Sequence, residues 1–386
     1  MIPYGKQEIT QEDIDAVIDV LKSDFLTQGP QVPAFEKSLT DFTGVKHALA
    51  VNSATSALHI ACLALGLSKG DILWTSPITF VASANCGLYC GADVDFVDID
   101  AHTYNLCPIK LAEKLLVAKA LGKLPKVLVA VHLCGQSCDM KAINKLAKEY
   151  GFSVIEDASH AIGGAYFDTP IGACKYSDIT VFSFHPVKIV TTAEGGAALT
   201  NDDKLAEKMS LFRSHGITRD PKLMVGETDG GWYYQQIELG YNYRMTELQA
   251  ALGVSQMTRL TEFVLARHDL ADRYNELLVD LPITLPYQLP DTYSGLHLFV
   301  IRLKLDKISK KYLEVFEALR ENGIGVNLHY IPVHTQPYYK NMGFKVGDYP
   351  QAENYYKEAI SLPMFHFMTH KQQDEVVRVL TSVLNG

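Results

Sequence analysis

Short apolar runs alternate with helical patterns along the first half of the chain. Runs rich in valine, isoleucine and leucine predict strands, and apolar residues spaced three and four positions apart predict amphipathic helices. The predicted strands cover 47–52, 71–76, 94–99, 126–133, 152–157, 178–183 and 196–200. The predicted helices among them cover 54–66, 80–91, 108–120, 139–150 and 203–214. Because the strands are nearly continuous apolar runs, we expect a mostly parallel sheet that is covered on both faces.

The two ends of the chain follow a different pattern. The N-terminal part predicts a helix after Thr10, with Ile14, Val17 and Leu21 at helical spacing, and a second helix over 32–43. After position 200 the pattern predicts a loop at 219–241, helices at 244–257, 259–279, 309–322 and 370–384, and a strand at 297–303. The sequence therefore predicts an α/β fold with a large domain over 1–250, including an N-terminal helical arm, and a small C-terminal α/β domain over 251–386.

Composition and charge argue against several classes of function. Hydrophobic residues make up 47% of the chain and the formal net charge is -9, so no general basic surface favours nucleic acid. No run of 18 apolar residues predicts a membrane span, and the start MIPYGKQEIT lacks the pattern of a signal peptide. Two C-x3-C pairs, Cys86/Cys90 and Cys134/Cys138, have no partner set that would complete a zinc site. We therefore expect a cytoplasmic protein without metal, nucleic-acid or membrane partners.

An anion site is predicted where the strand at 47–52 turns into the following helix. The chain has neither a G-x-G-x-x-G motif after a strand nor a P-loop motif. Ser53, Thr55 and Ser56 instead lie at a helix start, where free backbone N–H groups and the helix dipole favour a phosphate. Ordinary helix capping by Ser53 and Thr55 explains the same residues, and this stretch alone does not decide between the two.

An acidic residue ends the strand at 152–157. Ligands of open α/β sheets bind at the carboxyl ends of the strands, and Asp157 is aimed there. Its carboxylate would pair with a protonated ring nitrogen, although a helix N-cap is the plainer interpretation. His160, three residues on, would orient the carboxylate or contact the ligand ring, or serve as a structural histidine.

Lys188 completes a set of residues suited to pyridoxal 5′-phosphate (PLP). A lysine must be neutral to attack the PLP aldehyde, and burial lowers a lysine pKa. Ser183 lies five residues earlier and could donate to the phosphate, and Phe80 could stack on the ring or simply pack in the core. A phosphate cradle, an acidic partner and a lysine, in this order, predict a PLP site.

Several motifs carry a resemblance to a known family. The segments NSATSALH, EDASHAIGG, SFHPVK, TTAEGGA, LFRSHG and GYNYRMTELQAALG resemble those of the DegT/DnrJ/StrS family of PLP-dependent sugar-nucleotide aminotransferases. The resemblance extends from about residue 3 to residue 385. It implies PLP fold type I, which is aspartate aminotransferase-like, with PLP as cofactor and L-glutamate as the amino donor. It also implies a homodimer with shared active sites.

The resemblance assigns expected roles position by position. Lys188 is expected to form the Schiff base with PLP, and Asp157 to pair with the ring nitrogen; these are the expected catalytic residues. The expected cofactor-binding residues are Ala54, Thr55, Phe80, Asp157, His160, Ser183, Lys188 and, from the neighbouring subunit, Asn242. The expected substrate-binding residues are Tyr4, Phe25, Leu26, Thr27, His185, His329 and Tyr330. Arg213, Arg219 and Arg244 are candidates for the substrate diphosphate by charge alone.

The same motifs narrow the substrate. NSATSAL, DASHA, FSFHPVK, RSHGI and GVNLHYIP favour the members that aminate C4 of a UDP-linked 4-keto-6-deoxy-N-acetylhexosamine, in pseudaminic acid biosynthesis. The segment VHLCGQSCDM at 131–140 departs from that subgroup, so amination of another nucleotide 4-keto or 3-keto sugar, of perosamine or bacillosamine type, is the alternative. Two rivals are a dehydratase of the same fold, whose members carry histidine at the position of Lys188, and a non-catalytic regulator, which would be expected to lose the lysine or the carboxylate.

Overall fold

The computed structural model describes residues 1–385. In chain order the strands are β1 (Ile2–Pro3), β2 (His47–Val51), β3 (Ile72–Thr75), β4 (Asp93–Phe96), β5 (Val127–Val131), β6 (Ser153–Asp157), β7 (Ala165–Tyr166), β8 (Thr169–Pro170), β9 (Ile179–Ser183), β10 (Gly196–Thr200), β11 (Ile217–Thr218), β12 (Gln235–Gln236), β13 (Ile283–Thr284), β14 (Thr292–Tyr293), β15 (Phe299–Leu303), β16 (Ile324–Gly325) and β17 (Ala359–Leu362).

The helices surround two sheets. They are α1 (Gln11–Lys22), α2 (Gln31–Thr43), α3 (Ala54–Ala64), α4 (Ala82–Tyr89), α5 (Pro108–Leu121), α6 (Met140–Tyr150), α7 (Asp203–Arg213), α8 (Glu247–Met257), α9 (Leu260–Leu278), α10 (Tyr312–Glu321), α11 (Pro337–Lys340), α12 (Pro350–Glu358) and α13 (His370–Asn385). Single 3-10 turns occupy Leu133–Gly135 and Val333–Thr335. Within residues 1–385, no helix combines the length and apolar character that crossing a membrane requires.

Seven strands form the central sheet, in the order β2-β10-β9-β6-β5-β3-β4. The pairs from β9 to β4 are all parallel, and only β10 runs antiparallel to both of its neighbours. Strands β5, β9 and β10 are buried at every position, as expected for a sheet with helices on both faces. The predicted α/β fold with a mostly parallel central sheet is therefore confirmed.

A second, smaller sheet forms from the C-terminal part of the chain. Strands β13, β15 and β17 pair antiparallel, and their apolar side chains share one core with helices α9, α10 and α13. The N-terminus joins this part, because β1 pairs in parallel with β16. Position 250 lies inside α8, which packs against both α1 and α2. The division at 250 into a large and a small domain stays a prediction.

The predicted elements agree best where the apolar signal is long. Strand β10 has the predicted bounds, and helix α5 ends one residue later than predicted. The elements without a prediction are short, such as the four-residue β17 and the nine-residue α12. Helix α12 is rich in polar residues, so its sequence carries little amphipathic signal. These elements form because neighbours distant in sequence cover them.

Candidate active site

A cavity of about 460 Å³ opens at the carboxyl ends of the central strands. Its floor includes Val131, Asp157 and Ser183, which are the last residues of β5, β6 and β9. The structure brings eleven of the predicted residues together here: Tyr4, Ala54, Thr55, Phe80, Asp157, His160, Ser183, His185, Lys188, His329 and Tyr330. The remaining lining residues are Ser53, Leu58, Thr79, Ala82, Ser83, Ser159, Val187, Glu194 and His297, in addition to Val131.

The start of helix α3 forms a cradle for an anion. Ser53 caps the helix by accepting from the Ser56 N–H at 3.1 Å. Within residues 1–385, the N–H groups of Ala54 and Thr55 have no acceptor, and both residues line the cavity. Capping therefore leaves these two N–H groups available for an anion, since the cap uses a different N–H group.

Gly196, at the start of β10, makes room for that cradle. A Cβ atom at this position would overlap the backbone of Ser53 and Ala54. The strand and the helix start can therefore approach each other this closely only because residue 196 lacks a side chain. The close approach keeps the α3 N-terminus at the edge of the cavity.

Lys188 lies in the segment between β9 and β10. Its backbone N–H donates to the His185 carbonyl at 2.9 Å, which closes a turn with Pro186 at its second position. Burial lowers the pKa of the Lys188 amine to about 8, and the negative charge of Asp157 acts in the opposite direction. At neutral pH a measurable fraction of the amine is therefore uncharged and nucleophilic.

Asp157 is held from both sides by hydroxyl groups. Ser83 donates to Oδ2 and Ser159 donates to Oδ1, each at 2.6 Å, and the Ser159 N–H also donates to Oδ1 at 3.2 Å. The carboxylate is 5% exposed and lines the cavity. Residues 159–163 form turns, so Asp157 does not cap a regular helix there.

Three uncharged histidines form one wall. Burial holds the pKa of His160 and His297 well below the usual value and lowers that of His329 to about 3; the charge of Lys188 adds to each shift. His160 Nδ1 accepts from the Cys134 N–H at 3.2 Å, so its proton is on Nε2, which donates to the Tyr330 hydroxyl at 3.0 Å. The wall therefore offers neutral hydrogen-bonding groups.

The mouth of the cavity is aromatic. The Phe80 ring is 58% exposed and its centroid lies 6.2 Å from that of Tyr330. The ring centroids of Tyr4 and His329 lie 5.2 Å apart. The His329 Nδ1 lies 2.8 Å from the Ser361 hydroxyl on β17. His185 and Glu194 face each other at 4.0 Å on the opposite rim. Apolar faces with polar groups between them suit a sugar or a heterocyclic ring.

Other predicted residues lie outside this lining. Phe25, Leu26 and Thr27 form an exposed loop after α1, and Asn242 is exposed and bridges to Ser214. Arg213 forms an ion pair with Glu36 and donates to the Ala50 carbonyl. Arg219 and Arg244 are likewise outside the cavity lining. The binding roles predicted for all these residues stay predictions.

Comparison with known proteins identifies the family. The DegT/DnrJ/EryC1/StrS aminotransferase family model matches residues 7–381. The chain belongs to this family. It is a PLP-dependent aminotransferase that acts on nucleotide sugars, and PLP fold type I and the PLP cofactor, both predicted from the sequence, are confirmed.

Individual relatives span the whole chain. The spore coat polysaccharide biosynthesis protein SpsC of Bacillus subtilis is 38% identical over 388 residues, covering 100% of this chain and 97% of its own. The UDP-4-amino-4,6-dideoxy-N-acetyl-beta-L-altrosamine transaminase of Campylobacter jejuni is 37% identical over 386 residues, covering 100% and 98%.

Solved structures give the same result. Helicobacter pylori PseC, an aminotransferase involved in the biosynthesis of pseudoaminic acid, superposes with a TM-score of 0.90 at 32% identity, covering 100% of this chain and 99% of its own. The PLP-form of Spr1654 from Streptococcus pneumoniae, described as a sugar aminotransferase, has a TM-score of 0.88 at 26% identity, covering 100% and 98%.

The cavity of this aminotransferase fits PLP. The free N–H groups at the α3 start suit the phosphate, Asp157 suits a protonated ring nitrogen, and Lys188 has the lowered pKa that bonding to the aldehyde needs. Space for the phosphate is preserved by Gly196, where any larger residue would displace the cradle. The fit therefore depends on the backbone as well as on side chains.

Sequence reasoning missed Ser83, Ser159 and His297. Ser159 lies two residues after Asp157, a spacing that suits a local hydrogen bond and could have identified it. Ser83 comes from α4, 74 positions away from Asp157 along the chain. His297 is buried, and its Nδ1 lacks a hydrogen-bond partner within residues 1–385. Nothing local in the sequence relates Ser83 or His297 to the cavity.

Proposed function

We propose that the protein transfers the amino group of L-glutamate to C4 of a UDP-linked 4-keto-6-deoxy-N-acetylhexosamine. The products would be UDP-4-amino-4,6-dideoxy-N-acetyl-β-L-altrosamine and 2-oxoglutarate, in pseudaminic acid biosynthesis. The full-length similarity to the Campylobacter transaminase and to PseC supports this substrate. The observation that carries the chemistry is the single cavity in which a lysine with a lowered pKa, a buried carboxylate and an anion cradle meet.

Lys188 is the residue that moves protons in this proposal. When bound, PLP supplies an aldehyde that takes up the amino group and a ring that absorbs the negative charge of a deprotonated carbon. The neutral Lys188 amine would remove the proton from Cα of the donor and deliver it to the carbon that was the PLP aldehyde. In the second half-reaction the same amine acts in reverse on C4 of the keto sugar.

The other residues bind and orient. Asp157 holds a positive charge at the ring nitrogen, and Ala54, Thr55 and Ser183 hold the phosphate. Phe80 covers one face of the ring. The neutral His160 donates a hydrogen bond without adding charge beside Lys188.

The sugar-nucleotide contacts are assigned to the cavity rim. Tyr4, His185, His329 and Tyr330 lie where a substrate enters, and the Phe25–Leu26–Thr27 loop is proposed to close on it in the assembled enzyme. We further propose a homodimer in which Asn242 reaches the phosphate of the neighbouring site. Asn242 is exposed, so its side chain is accessible to a second subunit. Cytoplasmic location stays a prediction.

A substrate panel tests the proposed reaction. The purified enzyme, supplied with PLP and L-glutamate, is offered a set of UDP- and dTDP-linked 4-keto and 3-keto sugars, and products are identified by mass spectrometry. We expect amination of the UDP-linked 4-keto-6-deoxy-N-acetylhexosamine with one 2-oxoglutarate formed per amino sugar. Turnover of dTDP-sugars alone would refute the altrosamine assignment. The similarity to SpsC would then favour a different amino sugar as the product, one used in polysaccharide biosynthesis.

Spectroscopy with Lys188→Ala tests the chemistry separately. The wild-type enzyme should show the absorbance band of lysine-bound PLP and should lose it on adding L-glutamate. Lys188→Ala should lack both the band and turnover. Normal transamination by Lys188→Ala would remove Lys188 from the mechanism, and a wild-type spectrum unchanged by glutamate would favour another donor or a non-catalytic protein.

A further inference from the structure

Two hydroxyl groups, those of Thr79 and Ser83, form a buried relay that ends on Asp157. Ser83 donates to the Asp157 Oδ2 at 2.6 Å, and the Thr79 hydroxyl lies 2.7 Å from the Ser83 hydroxyl. Thr79 is 2% exposed and Ser83 is fully buried. An ionised carboxylate has no proton to donate, so the Ser83 proton must point to Asp157 and the Thr79 proton to Ser83. The direction of the relay is therefore fixed.

The other carboxylate oxygen is already saturated. Oδ1 accepts from both the hydroxyl and the backbone N–H of Ser159, at 2.6 and 3.2 Å. A carboxylate oxygen has about two acceptor positions. Oδ1 thus has none left, whereas Oδ2, which accepts from Ser83 alone among residues 1–385, retains one.

The segment that leads from the end of β3 into the first turn of α4 supplies two parts of the site at once. Thr79 and Ser83 are four positions apart and point inward, and Phe80 between them is exposed at the cavity mouth. The same turn therefore presents an aromatic face to the cavity and fixes the carboxylate behind it.

We propose that Ser83 and Ser159 are positioning residues that aim the free lone pair of the Asp157 Oδ2 at the PLP ring nitrogen, and that Thr79 holds Ser83 in place. The proposal rests on the proposed function, in which Asp157 pairs with that nitrogen. With both oxygens held, the carboxylate cannot rotate away from the ring, so the ion pair forms without further ordering of the side chain.

Two measurable properties follow from this role. Without the Ser83 hydroxyl the carboxylate can turn, its pairing with the ring nitrogen weakens, and PLP binds less tightly. The ring then carries less positive charge. Because that charge favours loss of the proton from the nitrogen joining Lys188 to PLP, the pH midpoint of the cofactor absorbance change should move upward.

Serine-to-alanine variants of the full-length holoenzyme provide the test. Ser83→Ala and Ser159→Ala each delete one hydroxyl that donates to Asp157. Ser137→Ala deletes a hydroxyl as buried as that of Ser83, which donates to the Cys138 carbonyl instead. The apo forms are titrated with PLP, and the absorbance is followed against pH. We expect the PLP Kd of Ser83→Ala to rise about tenfold, with a higher pH midpoint. Ser159→Ala should change both in the same direction, and Ser137→Ala should match the wild type.

The outcomes separate this inference from the proposed function. A folded Ser83→Ala with wild-type PLP Kd and pH midpoint overturns the relay, even while the wild type still responds to L-glutamate. A wild type that does not respond overturns the proposed function instead. Should Ser83→Ala fail to fold, Thr79→Val decides: it keeps the side-chain shape and does not touch Asp157. We expect a smaller upward shift of the midpoint for Thr79→Val, and no shift overturns the relay.

Discussion

Two opposing effects act on the pKa of the Lys188 amine. Burial lowers the pKa of the amine, and the negative charge of Asp157 raises it; burial prevails, and the pKa is about 8. An exposed lysine has a pKa near ~10.4. Lys188 has the apolar neighbours Val187, Ile189 and Val190 in the sequence. Its amine is thus close to half-ionised at a mildly alkaline pH. This residue-scale property has a direct kinetic consequence.

The rate of PLP capture by the apoenzyme should follow the neutral fraction of Lys188. With a pKa of about 8, that fraction rises roughly tenfold from pH 7 to pH 9 and then levels off, whereas an ordinary lysine would show a rise of roughly a hundredfold over the same range with no plateau. Stopped-flow absorbance measures the rate, with Lys188→Ala as the blank. A hundredfold climb without levelling would contradict the lowered pKa.

Arg267 is a second residue whose role comes from its surroundings. It is 2% exposed, and its Nη1 donates to the carbonyls of Leu296, His297 and Met364, while burial lowers its pKa to about 10. The guanidinium thus joins α9 to the segment before β15 and the segment after β17, and it supports the backbone of His297 in the cavity wall.

Replacing this arginine should destabilise the protein. Arg267→Met leaves three buried carbonyls without their donor, and we expect a loss of about 2–4 kcal/mol in the free energy of unfolding. Urea denaturation of the apoenzyme measures it. Arg378→Met is the matched control, because Arg378 is an exposed partner of Glu375, and its midpoint should stay near the wild-type value. Equal midpoints for the two variants would show that the carbonyls find other donors.

At the scale of elements, the phosphate cradle depends on how closely β10 and α3 approach. The contact involves backbone on both sides, since a Cβ atom at Gly196 would overlap Ser53 and Ala54. The sequence has only small residues at 195–198, and this contact explains why residue 196 is a glycine. Strand β10 also reverses the direction of the sheet, as it runs antiparallel to β2 and β9.

Gly196→Ala should therefore weaken PLP binding. The added methyl group must push the start of α3 outward, so the Ala54 and Thr55 N–H groups no longer converge, and we expect the PLP Kd to rise at least about tenfold. Gly231→Ala is the control, because open space surrounds that position and its backbone is not left-handed. PLP titration of both apo variants, with circular dichroism to establish folding, checks this. An unchanged Kd for a folded Gly196→Ala would locate the phosphate elsewhere.

At the scale of the whole molecule, the proposed dimer decides which Asn242 serves which site. In a mixed dimer of Lys188→Ala and Asn242→Ala subunits, a swapped Asn242 leaves one site with both defects and the other intact. If Asn242 acts within its own chain, each site carries one defect. The first arrangement leaves one intact site and the second leaves none, so an activity measurement on the mixed dimer distinguishes them.

Mixing the two inactive variants should thus restore activity. After co-expression with different affinity tags and purification of the mixed dimer, we expect about half of the wild-type turnover per dimer, since one of two shared sites is intact. Each variant alone sets the baseline. A mixed dimer no more active than the Asn242→Ala parent would contradict the exchange of Asn242 between subunits.

The sequence by itself determined the order of the longer strands and helices along the chain, the family and the cofactor. Long apolar runs and helical spacing are local properties of the sequence. Motifs such as SFHPVK likewise place their functional residues, here Ser183 and Lys188, within a few positions of each other. Asp157 and the α3 start were predicted from their place at the end of a strand, and Lys188 as the amine that completes a PLP site with them; the structure brings all three into one cavity.

Only the tertiary structure decided the partners of those residues. Ser83 meets Asp157 across 74 positions, and Arg213, a candidate for the diphosphate, lies instead against Glu36 across 177 positions. Hydrogen bonds of this kind depend on which strands become neighbours in the sheet. Strand order follows from how the helices bury their apolar faces over the whole chain, and no local window of sequence contains that information.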